Sequence, residues 1–429
     1  MSKEYLRFFE AQKKETDLRV NTDIERNRKT NVILNFKGVE NANITIKQKT
    51  HEFNFGCNIF MLGEFPDKER NDIYSEEFKV LFNYVVTPLY WSDFEPTQGS
   101  MRFTEESPAI YRRPNPERVL KYCKENGLRI KGHPLMWHSH MPSWAPNNRL
   151  KIMDCLNIRL REIAARLADD IYDFDGVNES LVSNYLHDYH LPEEYPYCVY
   201  KLIEKYFENN RIFINDVTSI SWARYLHTLS PYYMQIENLL LKGADIKGIG
   251  MQYHMFTSSE NLMKDAEIYY NPERLFRVMD TYSAFNLPLH VSEITVPAYS
   301  TDSDMEEIQA LVTENLYKIW FSHKMMDGIV WWNLADGTAY GASIGTYEGE
   351  NKYAGGLLNT SMRRKPVFKT LDKLINSEWK TNITETNISG SYEFRGFYGE
   401  YDVILNVDGN EIKKTLNISK DGAKAFNIN

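Results

Sequence analysis

Residues 171–180, Ile-Tyr-Asp-Phe-Asp-Gly-Val-Asn-Glu-Ser, and residues 287–295, Leu-Pro-Leu-His-Val-Ser-Glu-Ile-Thr, decide how this chain is read. Each is a short run rich in β-formers that ends on a glutamate, Glu179 in the first and Glu293 in the second. Helical patterns lie on either side of both runs. A carboxylate at the C-terminal mouth of a parallel barrel strand stands where that architecture places its chemistry. Two such glutamates, distant in sequence but on one barrel face, suit the acid and nucleophile of a glycosidase. The plainer reading of either glutamate alone is a strand-end carboxylate in a salt bridge.

Working outward, eight β-like runs are counted: 53–60, 84–91, 129–137, 174–179, 211–216, 246–252, 287–295 and 328–336. Between the third and fourth, Leu156, Leu160, Ile163, Ala164 and Leu167 recur at helical spacing. Between the seventh and eighth, Ile308, Val312, Leu316 and Ile319 do the same. Strands alternating with helices predict a parallel sheet, and eight repeats predict an α/β fold of the closed (β/α)8 TIM-barrel type. An open doubly wound sheet is the alternative, but no Gly-rich phosphate turn follows the first run.

The ends read differently. Residues 30–50 hold two alternating strands, and residues 380–429 hold three, around Tyr392, Tyr401 and Ile412, punctuated by Gly-rich and Asp-Gly turns. Three short strands are marginal alone. The expected organisation is therefore an N-terminal helix and strands over 1–50, a catalytic barrel over 51–378, and a small β module over 379–429 that the N-terminal strands join. A structural brace is the preferred role for that antiparallel module.

Composition narrows the function classes. The 429 residues carry 59 acidic and 50 basic side chains, a net charge of −9, which argues against a nucleic-acid footprint. No apolar stretch approaches the length of a membrane span. The N-terminus lacks the apolar core of a leader, and the four cysteines show no paired spacing, so a cytoplasmic location is expected, or a secreted one if a leader has been removed. His133, His138 and His140 invite a metal reading, but their spacing in an extended run spreads them along and across the sheet, and no recognised metal-ligand pattern is nearby. No metal and no cofactor is expected.

The strand ends carry a family resemblance. Residues 132–144, Gly-His-Pro-Leu-Met-Trp-His-Ser-His-Met-Pro-Ser-Trp, resemble the G-H-x-L-x-W-H-x-Q-x-P-x-W signature of family-10 glycoside hydrolases, the retaining endo-β-1,4-xylanases. Asn178-Glu179 looks like that family's N-E pair, Phe213 to Asp216 like its Y-x-N-D, and Gly248 to His254 like its G-I-G-x-Q-x-H. Ser292-Glu293 resembles the nucleophile segment, Trp332 to Asp336 the W-G-x-x-D, and Trp91 to Pro96 the W-x-x-x-E-P. The likeness runs from residue 51 to about 375, in order, on seven of the eight runs.

The resemblance implies roles. Glu179 becomes the acid/base and needs a raised pKa, and Glu293 becomes the nucleophile and must stay ionised, helped by a donor at His254. Asn178 binds the sugar 2-hydroxyl, Gln252 lies near the same sugar, His133 and Trp137 wall the cleaved bond, and Trp332 stacks on the glycone with Tyr340 beside it. Asn215 and Asp216 are read as ties between strand ends. Three departures stand out. The family's T-x-E-N-x-x-K-W is replaced by Thr87-Pro88-Leu89-Tyr90-Trp91, so Leu89 and Tyr90 are expected to present an apolar wall and one phenol. His140 stands for the signature Gln, and Thr295 stands where an Asp would partner His254. The expected function is retaining hydrolysis of β-1,4-linked xylan or xylo-oligosaccharides. The alternatives are the same mechanism on a different or decorated β-glycoside, and a non-catalytic carbohydrate-binding barrel.

Overall fold

The computed structural model describes residues 2–182, 191–299 and 303–428. Strands β1 (Lys29–Asn35) and β2 (Ala42–His51) precede a ring of parallel strands: β3 (Asn54–Asn58), β4 (Tyr84–Pro88), β5 (Arg129–His133), β6 (Asp173–Asn178), β7 (Arg211–Asp216) and β8 (Gly248–Met251). A two-residue strand, β9 (Tyr253–His254), then precedes β10 (Leu289–Thr295) and β11 (Met326–Trp331). Each pairs in parallel with the next around the ring, and β11 pairs with both β10 and β3, which closes the barrel. The (β/α)8 expectation is met, and every expected run overlaps its strand, with β6 starting before the run 174–179 and β11 before the run 328–336.

Several strands stop short of the run that predicted them. The third ends at His133 because Pro134 has no amide to offer the ladder. Residues His138–His140 then form a single 3-10 turn rather than continued strand, so the three histidines are not spread along one sheet. The second ends at Pro88, and Trp91–Phe94 folds into one helical turn. The sixth run is interrupted at Gln252, between β8 and β9, after which Tyr253 and His254 re-pair with Ile294 and Thr295.

The intervening helices bury the faces that periodicity marks. Helix Arg149–Leu167 starts at Asn148, whose side chain accepts from the amides of Leu150 and Lys151, and it buries Leu156, Leu160, Ile163 and Leu167. Helix Pro116–Asn126 is capped by Asn115 and stopped by Gly127 in the left-handed region at φ +63°.

The tail holds five strands rather than three: β12 (Asn382–Ile388), β13 (Ser391–Phe397), β14 (Gly399–Val407), β15 (Asn410–Ile418) and β16 (Ala425–Asn427). The two extra strands are polar and mostly exposed, so no apolar alternation marks them. β1 pairs antiparallel with β13 and parallel with β16, while β2 sits between β12 and β14, with β15 outside β14. The two sheets share a core that includes Val32, Leu34, Ile44, Ile46, Val403 and Leu405. Helices α1 (Ser2–Ala11) and α2 (Lys13–Arg28) part from this module: Tyr5, Phe9, Val20 and Ile24 are buried with the barrel's core. Arg28 secures the junction by donating to the carbonyls of Phe321, His323 and Met326.

Candidate active site

Glu179 and Glu293 meet at the C-terminal mouth of the barrel and line one cavity of about 580 Å³. Glu293 lies within β10, whereas Glu179 stands one residue past β6 with φ +54°. A left-handed glutamate is a sparsely populated conformation. It is held here by its own amide, which donates to the Asn215 carbonyl at 2.8 Å.

The two carboxylates have different neighbours. Glu179 Oε1 accepts from Gln252 Nε2 at 2.9 Å. Glu293 Oε1 accepts from Asn215 Nδ2 at 3.0 Å, and its Oε2 faces His254 Nε2 at 3.0 Å. His133 Nε2 stands 3.9 Å from Glu293 Oε1. Burial, and then the charge of Glu293, push the Glu179 carboxyl up to about 8. Burial pushes Glu293 up to about 7, with His133 and Asn215 pulling the other way. The two carboxylates repel, so near neutral pH the pair keeps about one proton, and Glu179 holds it in preference.

His254 is where the sequence expectation needs correcting. Thr295 does not deprive it of a partner, because Thr295 Oγ1 lies 2.9 Å from His254 Nδ1. The hydroxyl donates to Nδ1, which leaves Nε2–H to donate to Glu293; this network assigns the tautomer. A hydroxyl brings no charge, and burial holds the His254 imidazole down to about 4. His254 is thus a neutral donor, and Glu293 sits higher than it would beside a cationic imidazole.

Asn215 was read as a strand tie and is more than that. It also donates to Asn178 Oδ1 at 2.7 Å and accepts from Ser292 Oγ at 2.5 Å, so it orients Glu293 from the far side of β8. Gly250 makes room for it: a Cβ there would come within 2.4 Å of Asn215 Oδ1. Asn178 is fully buried behind the carboxylates. Asp216 accepts from the amides of Val217 and Leu181 and does act as a tie. A second chain that sequence reasoning missed lies beneath His133. Its Nδ1 is 2.8 Å from Asp175 Oδ2, and Asp175 Oδ1 pairs with Lys131 Nζ at 2.6 Å, all buried. Alternation along β5 and β6 places these groups inside the barrel, a signal the sequence held in principle.

Aromatic rings form the other walls. His140 stacks on Trp137 at 4.2 Å and lies 4.9 Å from Tyr90 and 6.0 Å from Tyr340. Trp332 meets Phe60 and His133 edge-on at 5.2 and 5.5 Å. His133, Trp137, Tyr90, Gln252, His254, Trp332 and Tyr340 all line the cavity. Leu89 does not. It is fully buried in the barrel core, and the wall expected of Leu89 and Tyr90 is instead shared by Tyr90 with Arg112 and Arg113. No spacing rule in the sequence points to that arginine pair. Among the described residues no cluster of histidine, cysteine or carboxylate side chains suits a metal ion, and no helix is long and apolar enough to cross a membrane.

The model of Glycosyl hydrolase family 10 matches residues 66–374. The chain is 25% identical over 421 residues to the anti-sigma-I factor RsgI6 of Acetivibrio thermocellus, covering 94% of this chain and 48% of that protein. It is 22% identical over 410 residues to endo-1,4-beta-xylanase 1 of Arabidopsis thaliana, covering 92% of this chain and 38% of that one. The chain therefore spans less than half the length of either relative. Among solved structures, xylanase 10B of Thermotoga maritima superposes with a TM-score of 0.59 at 18% identity, over 76% of this chain and 96% of that one. Xylanase B of Clostridium stercorarium F9 does so at 0.58 and 18%, over 74% and 96%. These two likenesses speak to the fold.

Proposed function

This chain belongs to glycosyl hydrolase family 10, and from that premise we propose that it is a retaining glycoside hydrolase acting on β-1,4-linked xylan or xylo-oligosaccharides. The observation that carries the reading is one cavity holding two carboxylates with different partners. Glu293 is held at both oxygens by Asn215 and His254, and Glu179 is held by Gln252 and pushed up by burial and then by the charge of Glu293. Pairs of titratable groups whose environments differ in this way mark acid and nucleophile.

In the first step ionised Glu293 attacks the anomeric carbon while protonated Glu179 gives its proton to the departing glycosidic oxygen. The bond to the leaving sugar breaks as the glycosyl–Glu293 ester forms. In the second step Glu179, now a carboxylate, takes a proton from water, and the water oxygen displaces Glu293 with net retention. Asn215 and His254 hold both oxygens of Glu293, so the nucleophile meets the anomeric carbon without reorganising. Gln252 fixes Glu179. Trp332, His133 and Trp137 bound the sugars on either side of the cleaved bond, and Tyr90, His140 and Tyr340 extend the aromatic surface along the cleft.

A panel of aryl β-xylosides, xylobiosides, glucosides and cellobiosides, with product stereochemistry followed by NMR, tests the reading. Glu293→Ala abolishes turnover of every substrate. Glu179→Ala spares aryl glycosides with good leaving groups more than natural glycans, and azide rescues it with retention. Equal losses on both substrate types contradict these roles. A second reading, a carbohydrate-recognition barrel without turnover, draws on the similarity to an anti-sigma factor across 94% of the chain. Binding of xylo-oligosaccharides with no hydrolysis of any panel member supports it instead.

A further inference from the structure

The wall of Phe60, Tyr90 and Trp332 carries a charge that this reaction does not use. Arg112 and Arg113 lie between the helical turn Trp91–Phe94 and helix Pro116–Asn126, and both line the cavity. Their guanidinium carbons stand 5.4 and 5.7 Å from the Phe60 ring, and that of Arg113 stands 4.0 Å from the Tyr90 ring.

The two cations are compensated unequally. Arg113 Nε donates to Asp93 Oδ2 at 2.6 Å, a charge-assisted pair. Arg112 is 3% exposed, and its one side-chain hydrogen bond among the described residues runs from Nη1 to the neutral Asn333 Oδ1 at 2.9 Å. Its Nε has no partner among those residues. Burial, and then the neighbouring Arg113, hold its pKa below the usual guanidinium value. Glu350 lines the same cavity beyond ion-pair distance; burial pushes its carboxyl up, while the charges of His254 and then Arg112 pull it down.

Stripping water from a guanidinium is costly unless acceptors replace it, so buried arginines normally have a carboxylate or a full set of oxygens. Arg112 has neither. Nε, which is buried, and Nη2 make no hydrogen bond among the described residues, and that unpaired edge is the fork that takes two oxygens of one anion.

We propose that this wall is a specificity subsite for an anionic glycone, a sugar bearing a carboxylate or a sulfate ester that the open edge of Arg112 receives while the ring lies against Tyr90 and Trp332. The proposal rests on the reading of Glu293 as nucleophile, because that reading puts the glycone on this wall. Arg113, neutralised by Asp93, braces Tyr90 and adds to the positive field. The loss of neutral-hydroxyl readers from the segment 87–91 fits the same substrate. A site built for a charge discriminates more strongly than one built for a hydroxyl.

The test measures binding without turnover. Glu293→Gln protein is titrated calorimetrically with xylotetraose, with a xylo-oligosaccharide of equal length bearing one glucuronosyl residue, and with its sulfate-bearing counterpart. At least one anionic ligand binds about tenfold or more tighter than the neutral one, and the advantage shrinks from 20 to 500 mM salt, each concentration being about the low and high ends of screening. The uronate and sulfate arms tell which anion the fork fits. Adding Arg112→Asn, a residue that tolerates the left-handed backbone found here at φ +62°, removes most of the preference. Adding Arg112→Lys keeps the charge and the fold while losing the fork, and retains part of it. Anionic ligands that bind no tighter than xylotetraose, or a preference unchanged in Arg112→Asn, overturn the subsite. If the unmutated enzyme hydrolyses no β-glycoside and yet the Arg112-dependent preference persists, the hydrolase reading falls alone.

Discussion

Replacing Asn215 with alanine tests how the barrel tunes Glu293, the proposed nucleophile. The Asn215 amide donates to Glu293 Oε1 at 3.0 Å in a fully buried setting, and it favours the ionised carboxylate. A hydrogen bond to a charged group contributes about 1.5–3 kcal/mol, and 1.36 kcal/mol corresponds to about one pH unit. Losing it therefore raises the Glu293 carboxyl, now near 7, by about one unit or more. That brings it level with Glu179 at about 8. The reactive form, with the proton on Glu179 and the charge on Glu293, then drops from about ten-elevenths to about half of the singly protonated pair, roughly a twofold loss at the optimum. Well below the optimum, where Glu293 must first lose a proton, the loss grows to about tenfold. A pH profile of kcat/KM on an aryl β-xyloside reads both numbers, with circular dichroism to verify the fold. An acidic limb that stays in place, or a loss of equal size at every pH, refutes the argument that Asn215 acts through the ionisation of Glu293.

The Thr295→Asp variant has the opposite sign. A carboxylate 3 Å from His254 Nδ1 raises the imidazole from about 4 by about 1–3 units, the resulting cation favours ionised Glu293, and the acidic limb of kcat/KM moves down. Nitrogen NMR of His254 and the pH profile check this, and an unmoved limb counts against it. Lys131→Met leaves Asp175 buried without its cation and costs about 3–5 kcal/mol, read from the denaturant midpoint. Burial raises Asp175, but Lys131 and His133 outweigh it and hold its folded pKa below the ordinary value. Its contribution is therefore present above the unfolded value near about 3.9 and fades as pH falls through the folded one, so the gap between wild type and variant narrows in acid. A gap below about 1 kcal/mol at neutral pH contradicts the assignment.

Much of this architecture was legible because it depends on local patterns. Runs of β-formers separated by helical periods mark the barrel strands, and the helix faces of Leu156, Leu160 and Leu316 follow from a period of 3.6. Glu179 and Glu293 stand out because a charged residue ends an apolar run. Strand ends were less legible: Pro134 and the interruption at Gln252 stop the ladder where the apolar pattern carries on. Strands Asn382–Ile388 and Ala425–Asn427 left no pattern, since their stability comes from pairing with β2 and β1 rather than from a buried face of their own.

The sequence by itself determined that eight strands close a barrel and that two carboxylates stand at its mouth, because both facts are written in residue order and period. Only the tertiary structure decided what each carboxylate touches. Asn215 reaches Glu293 because β7 and β10 flank β8 and both side chains point into the barrel mouth, and Thr295 keeps His254 oriented because β9 re-pairs with β10. Arg112 arrives on the cavity wall from a loop whose path no spacing records, and it lies buried without an ion pair because the ring of Phe60 and the amide of Asn333, not an acid, close around it. Register between distant strands and the course of long loops are set by packing over the whole molecule, and those contacts fix the acidity of each group and the charge of the cleft.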